Sequence, residues 1–154
     1  MSLIALTAGK GAPGVTTTAV SLGAVWPRRL VVAECDPAGA DLYLRLQDPS
    51  GRPLAQDRGV LSLATRIRPD VRGDELWNHA QTVAGGLEVL VGPSTPAHTA
   101  AMAVSWPGMA NLLSRLDDAD VLADCGRLDL TAPTAQIIRA ADLVLVLVLS
   151  LIHI

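Results

Sequence analysis

Apolar and polar residues fall in blocks along the chain. LIALTA (residues 3–8) is an apolar run that stops at glycines, the pattern of a strand buried on both faces. RLVVAE (29–34), GLEVLVGP (86–93), DVLADCG (120–126) and DLVLVLVLSL (142–151) repeat that pattern. Between them the period changes. TTTAVSLGAVW (16–26) carries Ala19, Val20, Leu22, Gly23 and Trp26 at helical spacing and is stopped by Pro27. A short helical piece follows at 42–46, then a loop over 47–59 rich in Pro and Gly. VLSLATRI (60–67) and GDELWNHAQTV (73–83) predict helices, the second with Asp74 as N-cap. TPAHTAAMAV (95–104) and PGMANLLSRL (107–116) predict two more, separated at Pro107 and Gly108, and APTAQIIRAA (132–141) a last one. Doubly buried strands alternating with helices predict an α/β domain, a mainly parallel sheet covered by helices on both faces.

A length of 154 residues suits one domain, and 50% hydrophobic with 18% charged residues supports a packed core. The net charge of −3 argues against a nucleic-acid surface, and three tryptophans on separate elements with no Phe offer no base-stacking platform. Arg66, Arg68 and Arg72 read as a solvated basic loop. His79 and His98 have no acid at catalytic spacing and read as surface or helix-face residues. Cys35 and Cys125 lack metal or redox spacing and read as buried free thiols. The longest apolar run, residues 143–152, is half of the about twenty that a membrane helix needs. With no signal-peptide pattern at the N-terminus, a cytoplasmic protein without a transmembrane segment is expected.

The chemistry gathers at GKGAPGVTTTA (9–19). One reading takes Gly9, Gly11 and Gly14 as the G-x-G-x-x-G of a dinucleotide fold, with Glu34 at the end of the second strand on the ribose hydroxyls. The other takes Lys10, Gly11, Ala12, Pro13, Gly14, Val15, Thr16 and Thr17 as a phosphate-binding loop. Its backbone N–H groups turn toward phosphate oxygens, the following helix points its positive end at them, and Thr16 or Thr17 reaches Mg²⁺ or a phosphate. A helix cap accounts for one threonine, not three. ECDPAGAD after the second strand and DVLADCG later favour the second reading. Asp36 and Asp124 are acids of the kind a magnesium–nucleotide site needs, one to position attacking water and one to order water on the metal.

These three stretches, in this order, resemble the ParA/MinD-like P-loop ATPases with their deviant Walker A loop K-G-G-x-G-K-[ST], their D-x-D-P-x-G motif and their Walker B strand. The resemblance implies a three-layer P-loop NTPase-like domain that binds ATP and Mg²⁺. It assigns Lys10 to a contact across a homodimer interface with the partner's nucleotide, Gly11, Gly14 and Thr16 to the phosphate cradle and the metal-bound hydroxyl, Asp36 to the attacking water, and Asp124 to the Walker B acid. It further implies a nucleotide-dependent dimer that works on a protein cargo or activator, in positioning, partitioning, or secretion or pilus assembly.

Ala12 and Glu34 depart mildly from the family pattern. Val15 departs severely, because the Walker lysine stands there. Losing a cation that acts on charge developing between phosphates costs about 3–4 kcal/mol in the transition state, on the order of a hundredfold to a thousandfold in rate. Nucleotide binding with slow or absent hydrolysis is therefore expected, with Lys10, the only lysine among twelve Lys and Arg residues, restoring charge in trans; the alternative is a catalytically dead scaffold that keeps the fold for protein contacts. The family runs further than this chain, so the domain is expected to be incomplete at its C-terminus, with the Leu and Val residues of 143–149 left uncovered and prone to associate.

Overall fold

The computed structural model describes residues 1–9 and 14–148. Chain order gives β1 (Leu3–Ala8), α1 (Val15–Ala24), β2 (Leu30–Glu34), α2 (Leu42–Arg45), α3 (Val60–Ala64), α4 (Glu75–His79), β3 (Gln81–Thr82), β4 (Glu88–Leu90), α5 (Pro96–Ala101), α6 (Trp106–Ser114), β5 (Asp120–Arg127), α7 (Ala135–Ala140) and β6 (Leu143–Leu147). The strands form one sheet in the order β3-β4-β2-β5-β1-β6. Every pairing is parallel except the short antiparallel one between β3 and β4.

Alternation along each strand sends side chains to two cores. Leu3, Ala5, Val31, Ala33, Val121 and Ala123 pack with helices α3, α4, α6 and α7 through Leu63, Leu76, Met109 and Ile137. Ile4, Leu6, Val32 and Leu122 pack on the other face with Val15, Ala19 and Leu42 from α1 and α2. The result is the expected three-layer P-loop NTPase-like architecture. Crossovers between parallel strands place every β-to-α loop at one edge of the sheet, the edge where open α/β folds bind ligands.

The structure changes several local expectations. The helix expected over 73–83 stops at His79, where Ala80 turns extended with ψ 153°. Gln81 instead pairs with Val89 and ties its side chain to Ala55 and Arg58. Asp74 stands at the start of α4, yet its side chain makes no capping bond and pairs with Arg72 at 3.4 Å. Pro107 does not separate two helices but sits in the first turn of α6, where its missing N–H costs nothing. At the sheet edge, β6 pairs with β1 while Leu143, Val144, Leu145 and Val146 stay exposed. Leu149 lies outside the described residues. Among these residues, no helix is long and apolar enough to cross a membrane.

Candidate functional site

Three loop segments meet at the C-terminal edge of the sheet. The first follows β1. Gly14 opens α1 from a left-handed conformation, φ 72°, which suits a residue without Cβ. No side chain caps the helix and no acid lies in its first turn, so its positive end is not neutralised from within. The threonines are therefore not caps: Thr17 is exposed, and Thr16 and Thr18 are half-buried. Val15 turns the other way, 2% exposed among Ile4, Leu6, Ala8 and Ala19. Any contact from Val15 to a phosphate would have to come from its backbone. Lys10, Gly11, Ala12 and Pro13 lie outside the described residues.

The second segment ends β5. Asp124 sits in register with Leu6 on one side and Glu34 on the other. It is fully buried; Oδ1 accepts from the Gly126 N–H at 3.0 Å, and Oδ2 has no partner among the described residues. Burial raises its pKa, against the lowering influence of the Thr16 hydroxyl and the Gly126 N–H, and Asp36 and Asp41 push it further up. Thr16 thus stands close to Asp124 without forming a hydrogen bond of ordinary geometry to Oδ2. A buried carboxylate oxygen with nothing to bond is a costly arrangement, and it fits an acid that orders water on a metal ion. Among the described residues no three His, Cys, Asp or Glu side chains converge as a metal cage.

The third segment follows β2. Asp36 is half-buried, accepts from the Ala38 N–H at 2.8 Å, and lies against Gly126. A Cβ on Gly126 would stand 2.2 Å from the Asp36 Cγ, so only glycine lets the two loops close to this distance. Thr7 donates to the Gly126 carbonyl at 3.0 Å and joins β1 to the same turn. Burial raises the Asp36 pKa and outweighs the Ala38 N–H, with Asp41 adding to the rise. The structure therefore brings Thr16, Asp36 and Asp124 to the same edge of the sheet. Gly126 is the member whose role the sequence did not disclose. Its only signal is a glycine two residues after the strand's last acid.

Glu34 does not do what the dinucleotide reading requires. It is 1% exposed, and its carboxylate accepts from the N–H groups of Asp41 at 2.8 Å, Leu42 at 3.1 Å and Gly92 at 3.0 Å. Burial lifts its pKa to about 7 against those three donors. It staples the start of α2 and the end of β4 to β2 and has no free edge for a ribose. The topology agrees, because β5 lies between β1 and β2, whereas the dinucleotide fold pairs those two strands directly.

Elsewhere, Cys35 and Cys125 are buried free thiols as expected, with burial pushing both pKa values up. The arginines at 66, 68 and 72 share their surface with Asp70, Asp74 and Glu75, so they form no cationic patch. His79 is not isolated. Its Nδ1 lies 2.7 Å from the Ser62 hydroxyl and its Nε2 3.2 Å from Glu75, one helical turn earlier. Ser62 also bonds both backbone groups of Gly59, which makes the trio a clamp between α3 and α4.

The strand order and the described residues at this edge give a P-loop NTPase-like fold of the ParA/MinD type. Comparison with solved structures gives the same result. Over 95% of its length the chain is similar to a ParA family ATPase from Chlorobium tepidum, with TM-score 0.67 and 12% identity, covering 60% of that chain. It is similar over the same share to cobyrinic acid a,c-diamide synthase from Mycobacterium smegmatis, with TM-score 0.61 and 26% identity in one structure, and 0.59 and 23% in another that holds ADP and magnesium. The chain covers 58% and 59% of those two, so it spans about three-fifths of the structures it matches. No family model matches the sequence, and no curated protein does.

Proposed function

We propose that the chain carries the phosphate- and magnesium-binding part of a ParA/MinD-like nucleotide switch. It binds ATP with Mg²⁺, hydrolyses it slowly or not at all, and pairs with a second copy when loaded. The observation that carries the reading is the buried Asp124 with its unpartnered Oδ2, placed beside Thr16 and Asp36 at the uncapped start of α1. When bound, Mg²⁺ would neutralise phosphate charge. Thr16 would hold it through the hydroxyl and Asp124 through water, while Asp36 would orient the attacking water and Lys10 would reach the partner's nucleotide. With Val15 buried in the core, nothing at that position offsets the charge that builds between phosphates, which is why slow turnover is proposed. The reading places the protein in the cytoplasm, working on a protein cargo in positioning, partitioning, or secretion or pilus assembly.

Titration calorimetry with ATP–Mg²⁺, ATP without metal, and NAD tests this. Tighter binding of ATP–Mg²⁺ than of either other ligand is expected, and Thr16→Ala should weaken the metal dependence. Binding of NAD alone would sink the proposal. The higher identity to the synthase, 26% against 12%, favours a second reading, in which the same site serves a synthase and not a switch. Sedimentation separates the two. A dimer formed only with a non-hydrolysable ATP analogue, and lost in Lys10→Ala, supports the switch. A loaded monomer supports the synthase.

A further inference from the structure

The proposed site has an electrostatic deficit that Val15 alone does not describe. Glu34, Asp36, Asp41 and Asp124 all stand at or next to the sheet edge where the phosphates would lie. Of these, Asp36 and Asp41 are partly exposed, so a triphosphate at this edge would meet their carboxylates. One divalent ion offsets part of that charge, and the first turn of α1 supplies no cationic side chain, since Val15, Thr16 and Thr17 occupy it.

Among the described residues, Arg127 ends β5 at this edge, in register with Ala8, and Arg45 stands beside the threonines. Arg45, in the last turn of α2, lines a cavity of about 160 Å³ together with Thr16, Thr17, Val20, Ser21 and Leu42. Those threonines are the hydroxyls expected at the metal and phosphates. Arg45 is held there by the backbone of α2, whose first N–H groups are fixed by the buried Glu34. Its Nε pairs with Asp41 at 2.9 Å, and its two terminal nitrogens have no ion pair among the described residues. The side chain is 53% exposed, so it has room to move. A guanidinium whose two terminal nitrogens are free presents one edge that matches a phosphate bidentately, which an ammonium does not.

We propose that Arg45 takes over the charge of the missing Walker lysine, binding the terminal phosphate of ATP from α2 within the same chain. This rests on the nucleotide reading above and deepens it: the cation comes from the segment after Asp36 and not from the loop. It is available in a monomer, unlike a lysine that acts across a dimer interface. A cation bound to the terminal phosphate alone would distinguish a triphosphate from a diphosphate.

Calorimetric titration of the whole chain with ATP–Mg²⁺ and with ADP–Mg²⁺, at a concentration where it is monomeric, tests the assignment. Arg45→Ala should weaken ATP–Mg²⁺ by about tenfold or more, the scale of one lost charge-assisted phosphate contact, and leave ADP–Mg²⁺ nearly unchanged. Arg45→Lys should recover part of the loss. Circular dichroism and thermal unfolding establish that the variants fold, as an exposed side chain predicts. An equal loss for both nucleotides, or none for either, in a folded variant would overturn the role of Arg45 while leaving the nucleotide site standing. Failure of the unaltered chain to bind either nucleotide would overturn the site itself, and Arg45 with it.

Discussion

Asp120 and Asp124 lie four residues apart on β5, on the same face of the sheet, and neither side chain is accessible to solvent. At the N-terminal end, Asp120 is saturated. It accepts from the Ser2 N–H at 2.9 Å and the Trp26 indole at 2.9 Å, and Arg28 lies 2.7 Å away. Burial works to raise its pKa, but Trp26, Ser2 and Arg28 outweigh it and the net shift is downward. At the C-terminal end, Asp124 has one donor, an unpartnered oxygen and acidic neighbours, and its shift is upward. The same residue on the same strand is a structural anchor at one edge and an unsatisfied group at the other. Buried polar groups are nearly always paired, so the unpaired one marks the end of the sheet that has another task.

The sharpest way to break this comparison is to remove each acid in turn. Asp120→Ala strands the Trp26 N–H and the Ser2 N–H and unpairs Arg28. Breaking such a cluster costs about 3 kcal/mol once the half-exposed Arg28 is discounted for solvent screening. Asp124→Asn should change stability by less than about 1 kcal/mol without nucleotide, because it removes a charge that burial already disfavours. It should also weaken the magnesium dependence of ATP binding. Denaturant unfolding without nucleotide, followed by calorimetry, reads both quantities. Equal destabilisation by the two variants would mean that Asp124 is an anchor like Asp120 and that its end of the strand is not specialised.

The same contrast shows what the sequence discloses. Apolar blocks bounded by glycine and proline place the long strands, since burial on both faces leaves a continuous apolar run. The three stretches around Gly14, Asp36 and Asp124 are visible because each combines turn chemistry with charge at the end of such a run. Asp120 gives no comparable signal. It begins its strand as an ordinary polar flank, and its partners Ser2, Trp26 and Arg28 are distant in the chain. Glu34 misleads for a related reason. Its position at the end of a strand matches a ribose ligand, while the donors that close it come from Asp41, Leu42 and Gly92. The strand order that separates β1 from β2 depends on long-range pairing, which local patterns do not encode. Gln81 and Thr82 are missed because two residues of edge strand are too short to show a period.

Val15 lets the functional end be altered without touching an acid. Its side chain fills a core position beneath the start of α1. Val15→Lys places an ammonium among Ile4, Leu6 and Ala19, at a cost of about 2 kcal/mol without nucleotide, limited because a long stem can carry the charge toward solvent. With ATP–Mg²⁺ present the charge gains a phosphate partner, and the loss should shrink or reverse. Thermal unfolding with and without nucleotide measures the difference. A loss that nucleotide leaves unchanged would show that position 15 does not face the phosphates even when it carries a cation.

The smallest change tests how closely the functional end is built. Gly126 has φ 56°, and its α-carbon faces the Asp36 carboxylate so closely that a Cβ would overlap it. Gly126→Ala meets two penalties. A left-handed backbone costs a β-substituted residue about 1 kcal/mol, and the methyl group must displace a carboxylate that the Ala38 N–H holds in place. The first penalty is fixed by the backbone. The second is a matter of one side chain, which can rotate toward solvent because Asp36 is only half-buried. Stability should therefore fall by about 1 kcal/mol, whereas any chemistry that depends on where Asp36 points should fall much further. Alanine substitution at an ordinary surface turn of the same backbone shape, Gly51 with φ 82° and open space around it, supplies the reference. Gly51→Ala should show the same loss of stability with no effect on the nucleotide. If Gly126→Ala proved no more harmful to ATP turnover or to ATP–Mg²⁺ binding than Gly51→Ala, the contact between Asp36 and the end of β5 would be packing alone, and Asp36 would lose its place among the residues that act on the nucleotide.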